Sequence, residues 1–399
     1  MNLPVLIPYL LARVFMSLAN TMLTVAIGWH LYQLTGDPYD LALVGLVQII
    51  PVLMLFMVSG WVVDHFPRKK VLIICSLLEG FILLGLAAVM HNGDYDKSSI
   101  FLLLFLHGCV RAFFGPAQQA ILPNLVTKQA LSQAVAVTST AWNVASTSGP
   151  FAAGLLLIWL DQDIYWVLGG LALLGAALFL TLPRIAHTKP LGRGVGQVLE
   201  GISFIRANPI VLGSISLDLF AVMLGSVMAL LPIYAVDILE VGADALGIMR
   251  GMPALGAVLV GIIMTRMTLN NTGRSLFLAL AVFALSILIF AFSTQYWLSL
   301  LALFIYGAAD MISVNIRSTL IQLATPDELR GRVSAVNSIF IATSNKMGDY
   351  RAGAIAAVIP ASATVALGGL TALIIAIGGY YCFPEIRKLR KMNELENKE

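Results

Sequence analysis

Apolar residues in this chain come in continuous runs of about twenty, without the strict apolar–polar alternation that marks a half-buried strand. Twelve such runs begin near residues 6, 41, 70, 99, 134, 164, 210, 245, 275, 297, 334 and 362. Each is long enough to cross a bilayer as an α-helix. Outer-membrane barrels would alternate residue by residue instead. The pattern predicts an all-α polytopic membrane protein with twelve transmembrane helices. The longest polar stretch, roughly 184–209, leaves no room for a separate soluble domain. The first run is too long for a cleavable signal peptide, carries Arg13 and lacks a basic start, so it is expected to remain as a span.

Composition strengthens this picture. Hydrophobic residues make up 59% of the chain and the mean hydropathy is +0.90, far above soluble domains. Charge then orients it. With both ends inside, the inner loops and C-terminal tail collect seventeen Lys and Arg, whereas the outer loops hold Lys97 and nine acids, among them Asp37, Asp94, Asp161 and Asp244. The positive-inside rule therefore places both termini in the cytoplasm. This cationic inner face needs no nucleic-acid partner to account for it. Cys75, Cys109 and Cys382 show no paired spacing, which gives a disulfide or metal site no support.

The chain repeats itself. Gly60-x-x-x-Asp64 after the second run recurs as Gly261-x-x-x-Thr265-Arg266 after the eighth. "LPNLVTKQALSQA" after the fourth recurs loosely as "ATPDELRGRVSAV" after the tenth, at a similar offset. A shared offset of about half the chain predicts two six-helix halves, residues 1–183 and 210–385. A linker at 184–209 joins them and a tail follows at 386–399. "GRGVG" at 192–196 has no strand before it, which makes it a flexible linker rather than a dinucleotide loop. The amphipathic stretch after it is expected to lie along the inner membrane surface.

Several motifs carry a family resemblance. "GWVVDHFPRKKVL" resembles the loop signature of the major facilitator superfamily, Gly-x-Leu-Ala-Asp-Arg-x-Gly-Arg-Lys. Gly60, Asp64, Arg68 and Lys69 match it, while His65 replaces Arg and Pro67 replaces Gly. "RAFFG" at 111–115 resembles the family's fourth-helix motif. "ASTSGPFAAG" at 145–154, with Gly149, Pro150 and Gly154, resembles the fifth-helix motif associated with exporters. "LPIYAVDIL", "TPDELRGRVSAVNS" and "SNKMGDYRAG" resemble the branch that holds the enterobactin exporter and macrolide efflux proteins. The resemblance implies a two-halved transporter fold. It also implies that the Asp64 loop latches the halves, with Gly60 letting the eleventh helix approach closely and His65 making the latch weaker or pH-sensitive. From the residues alone, the same cluster serves as a topology anchor, with Arg68 to Lys70 free to pair with Asp64.

Ten ionisable groups stand within the runs: Arg13, Glu79, Arg111, Asp218, Arg250, Asp310, Arg317, Lys346, Asp349 and Arg351. Each costs about 2.5–3.5 kcal/mol or more at mid-bilayer, so they are expected to face the bundle interior. Arg111, Asp218, Asp310, Lys346 and Asp349 sit deepest, while Arg13 and Arg317 lie near enough to an inner end to snorkel. Asp310 and Arg317 are seven apart, on one helical face. Lys346 and Asp349 are three apart, and such a pair can simply neutralise itself. Asp218 and Asp310 have no basic neighbour on their own helix at three or four residues, and Glu79 is likewise unpaired locally. A carboxylate removed from water holds its proton to higher pH. These acids, with Asp349, are therefore the candidates for proton coupling, and Arg111, Arg317, Lys346 and Arg13 are their candidate charge partners. Gly149-Pro150 falls mid-helix, where proline removes a backbone hydrogen bond. Small residues beside it favour close packing at a moving interface.

No Gly-Lys pair exists from which to build a phosphate-binding loop, and no metalloprotease or serine-hydrolase motif appears. The chain is therefore expected to be no enzyme and to take neither cofactor nor nucleotide. Its expected energy source is an ion gradient, with protons as the ion. The expected function is secondary active export of a small amphipathic organic molecule, a siderophore or a drug, by a monomer in a bacterial inner membrane. Inward symport of a metabolite, lysolipid flipping and a non-transporting sensor or enzyme remain the alternatives.

Overall fold

Twelve long helices match the twelve apolar runs in the computed structural model, which describes residues 3–91, 96–183, 195–266 and 271–389. They are α1 (Leu3–Thr35), α2 (Pro38–His65), α3 (Arg68–His91), α4 (Lys97–Leu125), α5 (Leu131–Leu160) and α6 (Ile164–Thr181), then, after α7 (Val195–Ala207), α8 (Pro209–Gly225). A one-turn α9 (Leu231–Ile233) precedes α10 (Ala243–Met264), α11 (Thr272–Ala291), α12 (Tyr296–Leu323), α13 (Asp327–Ala356) and α14 (Ala361–Cys382), and a short α15 (Pro384–Lys388) follows. No strand occurs among the described residues. Arg184, Asp94, most of the "GRGVG" stretch and the tail from residue 390 lie outside them.

Hydropathy alone finds ten of the twelve spans. α5 and α6 merge into one apolar stretch because only the turn Asp161–Asp163 divides them. α13 carries Lys346, Asp349, Arg351 and four charged residues near its start, Asp327, Glu328, Arg330 and Arg332, which leaves it too polar to register.

Local chemistry sets the helix ends. Gly36, in the left-handed region at φ 61°, closes α1, and its N–H donates to the Tyr32 carbonyl. The Asp96 carboxylate caps α4 by accepting from the N–H groups of Ser98 and Ser99. Asn208 caps α8 in the same way, ahead of Pro209 at the first helical position. α8 stops at Gly225. The chain then proceeds through a short 3₁₀ turn at Met228–Leu230, α9 and a π-turn at Tyr234–Ile238.

The chain divides into two compact units. The first holds residues 1–36, 43–192 and 242–251, and the second holds 37–42, 193–241 and 252–399. Within the first, α1 packs on α5 and α6, and α3 packs on α4 and α6. Within the second, α11 packs on α12 and α14, and α8 on α13 and α14. The amphipathic α7, expected along the membrane surface, is docked on α13. Glu200 pairs with Arg332, and Gly201 faces the Arg332 carbonyl closely enough that a Cβ there would sit 3.2 Å from it.

Candidate transport sites within each unit

The second unit gathers the charges of the seventh and tenth spans into one cluster. Arg317 of α12 is buried, its side chain 5% exposed, and pairs directly with Asp218 of α8. Asp310, two turns back on α12, has a carboxylate oxygen 3.9 Å from the same guanidinium. Arg317 Nε also donates to the Ser313 carbonyl at 3.2 Å, which fixes the arginine's direction. Asp218 is 15% exposed and Asp310 39%, so the first acid holds the arginine while the second keeps contact with its surroundings. The cation these acids meet lies outside the three- and four-residue spacing of their own helices. The partner is Arg317, reached across helices by Asp218 and at seven residues by Asp310, and it does not snorkel to the helix end.

The break after α8 has its own polar lining. A helix end inside a membrane leaves carbonyls that need donors. Arg351 of α13 supplies them, donating to the carbonyls of Met223 at 3.2 Å and Leu224 at 2.6 Å. Asp349 accepts from the Ser226 hydroxyl at 2.8 Å. Gly348 lies between these two residues' helical positions, and a Cβ on it would come within 2.9 Å of the Ser226 side chain. Asp349 thus serves the broken helix, as part of a network that spans two helices.

The first unit buries a second acid. Glu79 of α3 is fully buried, and its carboxylate lies 3.5 Å from Nε2 of His107 on α4, itself 3% exposed. Neither side chain has a hydrogen bond at closer range among the described residues. Arg111 stands one turn beyond His107 on α4, its guanidinium 5.5 Å from the Phe114 ring centre. Arg13 lies against the Tyr9 hydroxyl, which donates to the Gln118 carbonyl at 3.0 Å. Glu79 therefore has a partner that sequence reading missed. The available signal was the pair His107 and Arg111, four apart on one face of an otherwise apolar helix.

The charged loop between α2 and α3 acts first within its own unit. Arg68 donates to the Ala120 carbonyl at 2.8 Å and to the Asn124 side chain, at the end of α4. Lys69 donates to the Leu180 carbonyl at 2.8 Å and to that of Leu182, where α6 ends. Cations are well placed at helix C-termini, whose last carbonyls lack partners. The expected pairing of these cations with Asp64 is thus replaced by stapling of α3 to α4 and α6. Asp64 is half-buried in the last turn of α2. His65 is tied to its own helix, with Nδ1–H donating to the Trp61 carbonyl at 2.9 Å and its ring stacked on Trp61. A Cβ at Gly60 would meet no described atom within 4 Å.

The exporter-type motif on α5 packs at close range inside the first unit. Gly149 faces the Thr21 side chain of α1 so closely that an added Cβ would overlap it. Gly154 meets Gly247, which clusters with this unit, and a Cβ on Gly154 would lie 2.8 Å from the Gly247 Cα. α5 runs unbroken through Pro150.

The pattern of the transmembrane secretion effector family matches residues 5–398. The chain belongs to this family of the major facilitator superfamily. The enterobactin exporter EntS of Escherichia coli is 24% identical over 388 residues, covering 96% of this chain and 92% of the relative. Two solved transporters share the fold. The nucleoside transporter NupG is 14% identical with a TM-score of 0.71, over 96% of this chain and 99% of that one. The xylose transporter XylE from E. coli, in an inward-open conformation, is 15% identical with a TM-score of 0.70, over 98% and 99%. The protein is a multi-pass membrane transporter of this superfamily, and the twelve-helix fold agrees with the resemblance read from its motifs.

Proposed function

We propose that this transporter exports a small amphipathic organic molecule, of siderophore or drug type, from the cytoplasm by alternating access driven by the proton gradient. The observation that carries the reading is the Asp218–Arg317–Asp310 cluster, in which two carboxylates share one guanidinium. Two acids against one cation leave one negative charge to be balanced. A proton on either acid balances it, and the arginine then pairs with the other. A conformational step that moves Arg317 toward one acid loosens the other's hold on it and changes where a proton binds. An ion shifts a conformational equilibrium only by its different affinity for the two states, and this arrangement supplies such a difference. The outward direction is supported by the relation to an exporter and by the secretion family. In this reading the positive-inside rule keeps both termini cytoplasmic and no cofactor takes part.

The test uses purified protein in vesicles with an imposed pH gradient and a panel of labelled siderophores and cationic drugs. Accumulation of at least one compound, abolished by a protonophore, is the expected result. Accumulation that persists after the gradient is collapsed contradicts proton drive.

A further inference from the structure

At the end of the second unit where α14 runs into α15, a cavity of about 580 Å³ is lined by Asn271, Arg274, Tyr380, Arg387, Lys388 and Leu389. Three of these residues are cations, and none of the described lining residues carries a carboxylate. Like charges gathered at a membrane surface repel unless an anion sits among them.

The cavity has a rigid floor. Gly273 sits so tightly on the Ile386 carbonyl that any Cβ there would overlap it, and its N–H donates to the Leu389 carbonyl at 3.0 Å. Below lies a buried apolar cluster that includes Leu276, Phe277, Leu320 and Ile386. Tyr380 is braced edge-on by Phe277, ring centres 5.4 Å apart, and Arg387 stacks on the Tyr380 face at 4.9 Å. A guanidinium held by a ring keeps its in-plane N–H groups for an anion, and its planar fork suits phosphate.

What borders the cavity selects the kind of anion. Arg274 ends an exposed apolar stripe on α11 that includes Leu278, Leu285 and Ile289. Arg387 and Lys388 follow the end of another on α14, through Ile374, Ile377 and Tyr381. Residues at these spacings share one face of each helix, and α11 and α14 pack side by side. The cations therefore stand at the head of two neighbouring lipid-facing stripes. A free phosphate would use the cations alone. A phospholipid would use the cations for its phosphate and the stripes for its acyl chains.

We infer that this cavity is a binding site for the phosphate of an anionic phospholipid, seated with its acyl chains along α11 and α14. The positive-inside orientation makes this a lipid of the cytoplasmic leaflet. Basic pockets of this kind, on the cytoplasmic side of spanning helices, suit anionic headgroups. The site lies apart from the Asp218–Arg317–Asp310 cluster and does not depend on how transport is driven.

Native mass spectrometry of the full chain in mild detergent tests it, with dioleoyl phosphatidylglycerol titrated against dioleoyl phosphatidylcholine. The parent should retain one phosphatidylglycerol with a preference of about tenfold or more. The double variant Arg274→Gln/Arg387→Gln should lose that preference, Arg274→Lys/Arg387→Lys should keep most of it, and Arg206→Gln, a basic change outside the cavity, should match the parent. Circular dichroism establishes that each variant is folded. Parent-like preference in a folded glutamine double variant overturns the proposal. Displacement of phosphatidylglycerol by millimolar inorganic phosphate overturns the lipid assignment in favour of a free-anion site.

Discussion

Arg317 and Asp218 form a direct ion pair between α12 and α8, and Asp310 waits 3.9 Å from the same guanidinium. Removing one member of a buried pair strands the other's charge, at a cost of roughly 3–5 kcal/mol, whereas removing both is much milder. Arg317→Gln should therefore lower thermal stability in detergent by several degrees, and Asp218→Asn/Arg317→Gln should recover a large part of the loss. Additive losses in this double-mutant cycle would mean that the pair is not coupled.

The same logic applies to Glu79 and His107, with a larger expected asymmetry because Glu79 is completely buried. His107→Ala takes from the buried Glu79 carboxylate its neighbour at 3.5 Å, so its folded yield should fall well below that of Glu79→Gln. The double variant Glu79→Gln/His107→Ala should be more stable than His107→Ala alone. Fluorescence-detected size-exclusion chromatography over a temperature series reads all three, and equal melting of His107→Ala and the double variant would remove the pairing.

How much of this was legible in the sequence varies with the physics involved. Spans were legible because a bilayer demands long apolar runs, and α13 was found by its run of residues although its charges hide it from hydropathy. The in-span ionisable residues were legible because each is costly in lipid. Which partner each acid meets was not. Asp218 meets Arg317 and Glu79 meets His107 across helices, a relation that intra-helix spacing cannot carry. Nor was the end of α8 legible, since Gly225-Ser226 in an apolar run gives no sign that Arg351 will cap the exposed carbonyls. The loop motif misled in one respect. Arg68 and Lys69 look like partners for Asp64 in sequence, but the C-terminal ends of α4 and α6 offer them unpartnered carbonyls.

Glycine positions separate close packing from open surface. An added Cβ at Gly273 overlaps the Ile386 backbone carbonyl, which cannot rotate away, while one at Gly378 meets nothing within 4 Å. Gly273→Ala should destabilise the protein by about 1–3 kcal/mol, as overpacking does. Gly378→Ala should be neutral or slightly stabilising, since alanine favours the helix. Comparison of the two melting curves checks the assignment, and matching curves would contradict it.

Asp64 lies in the last turn of α2, just ahead of the staple made by Arg68 and Lys69. Since the basic residues are engaged elsewhere, Asp64→Asn should leave folding and substrate affinity close to the parent's. As the acid of the loop signature, it should nonetheless slow transport severalfold. Binding and transport rates measured on one vesicle preparation separate these effects, and an unchanged rate would reduce the loop to a topology anchor.

The most direct test of proton coupling through the shared arginine is gradient-driven transport by Asp218→Asn and Asp310→Asn, each in vesicles with an imposed pH gradient. Asparagine keeps the shape and hydrogen bonding of each acid but cannot take up a proton. At least one variant should lose concentrative accumulation, on the order of tenfold or more, while still exchanging substrate passively down its own gradient. If both concentrate substrate like the parent, the Asp218–Arg317–Asp310 cluster does not carry the coupling proton.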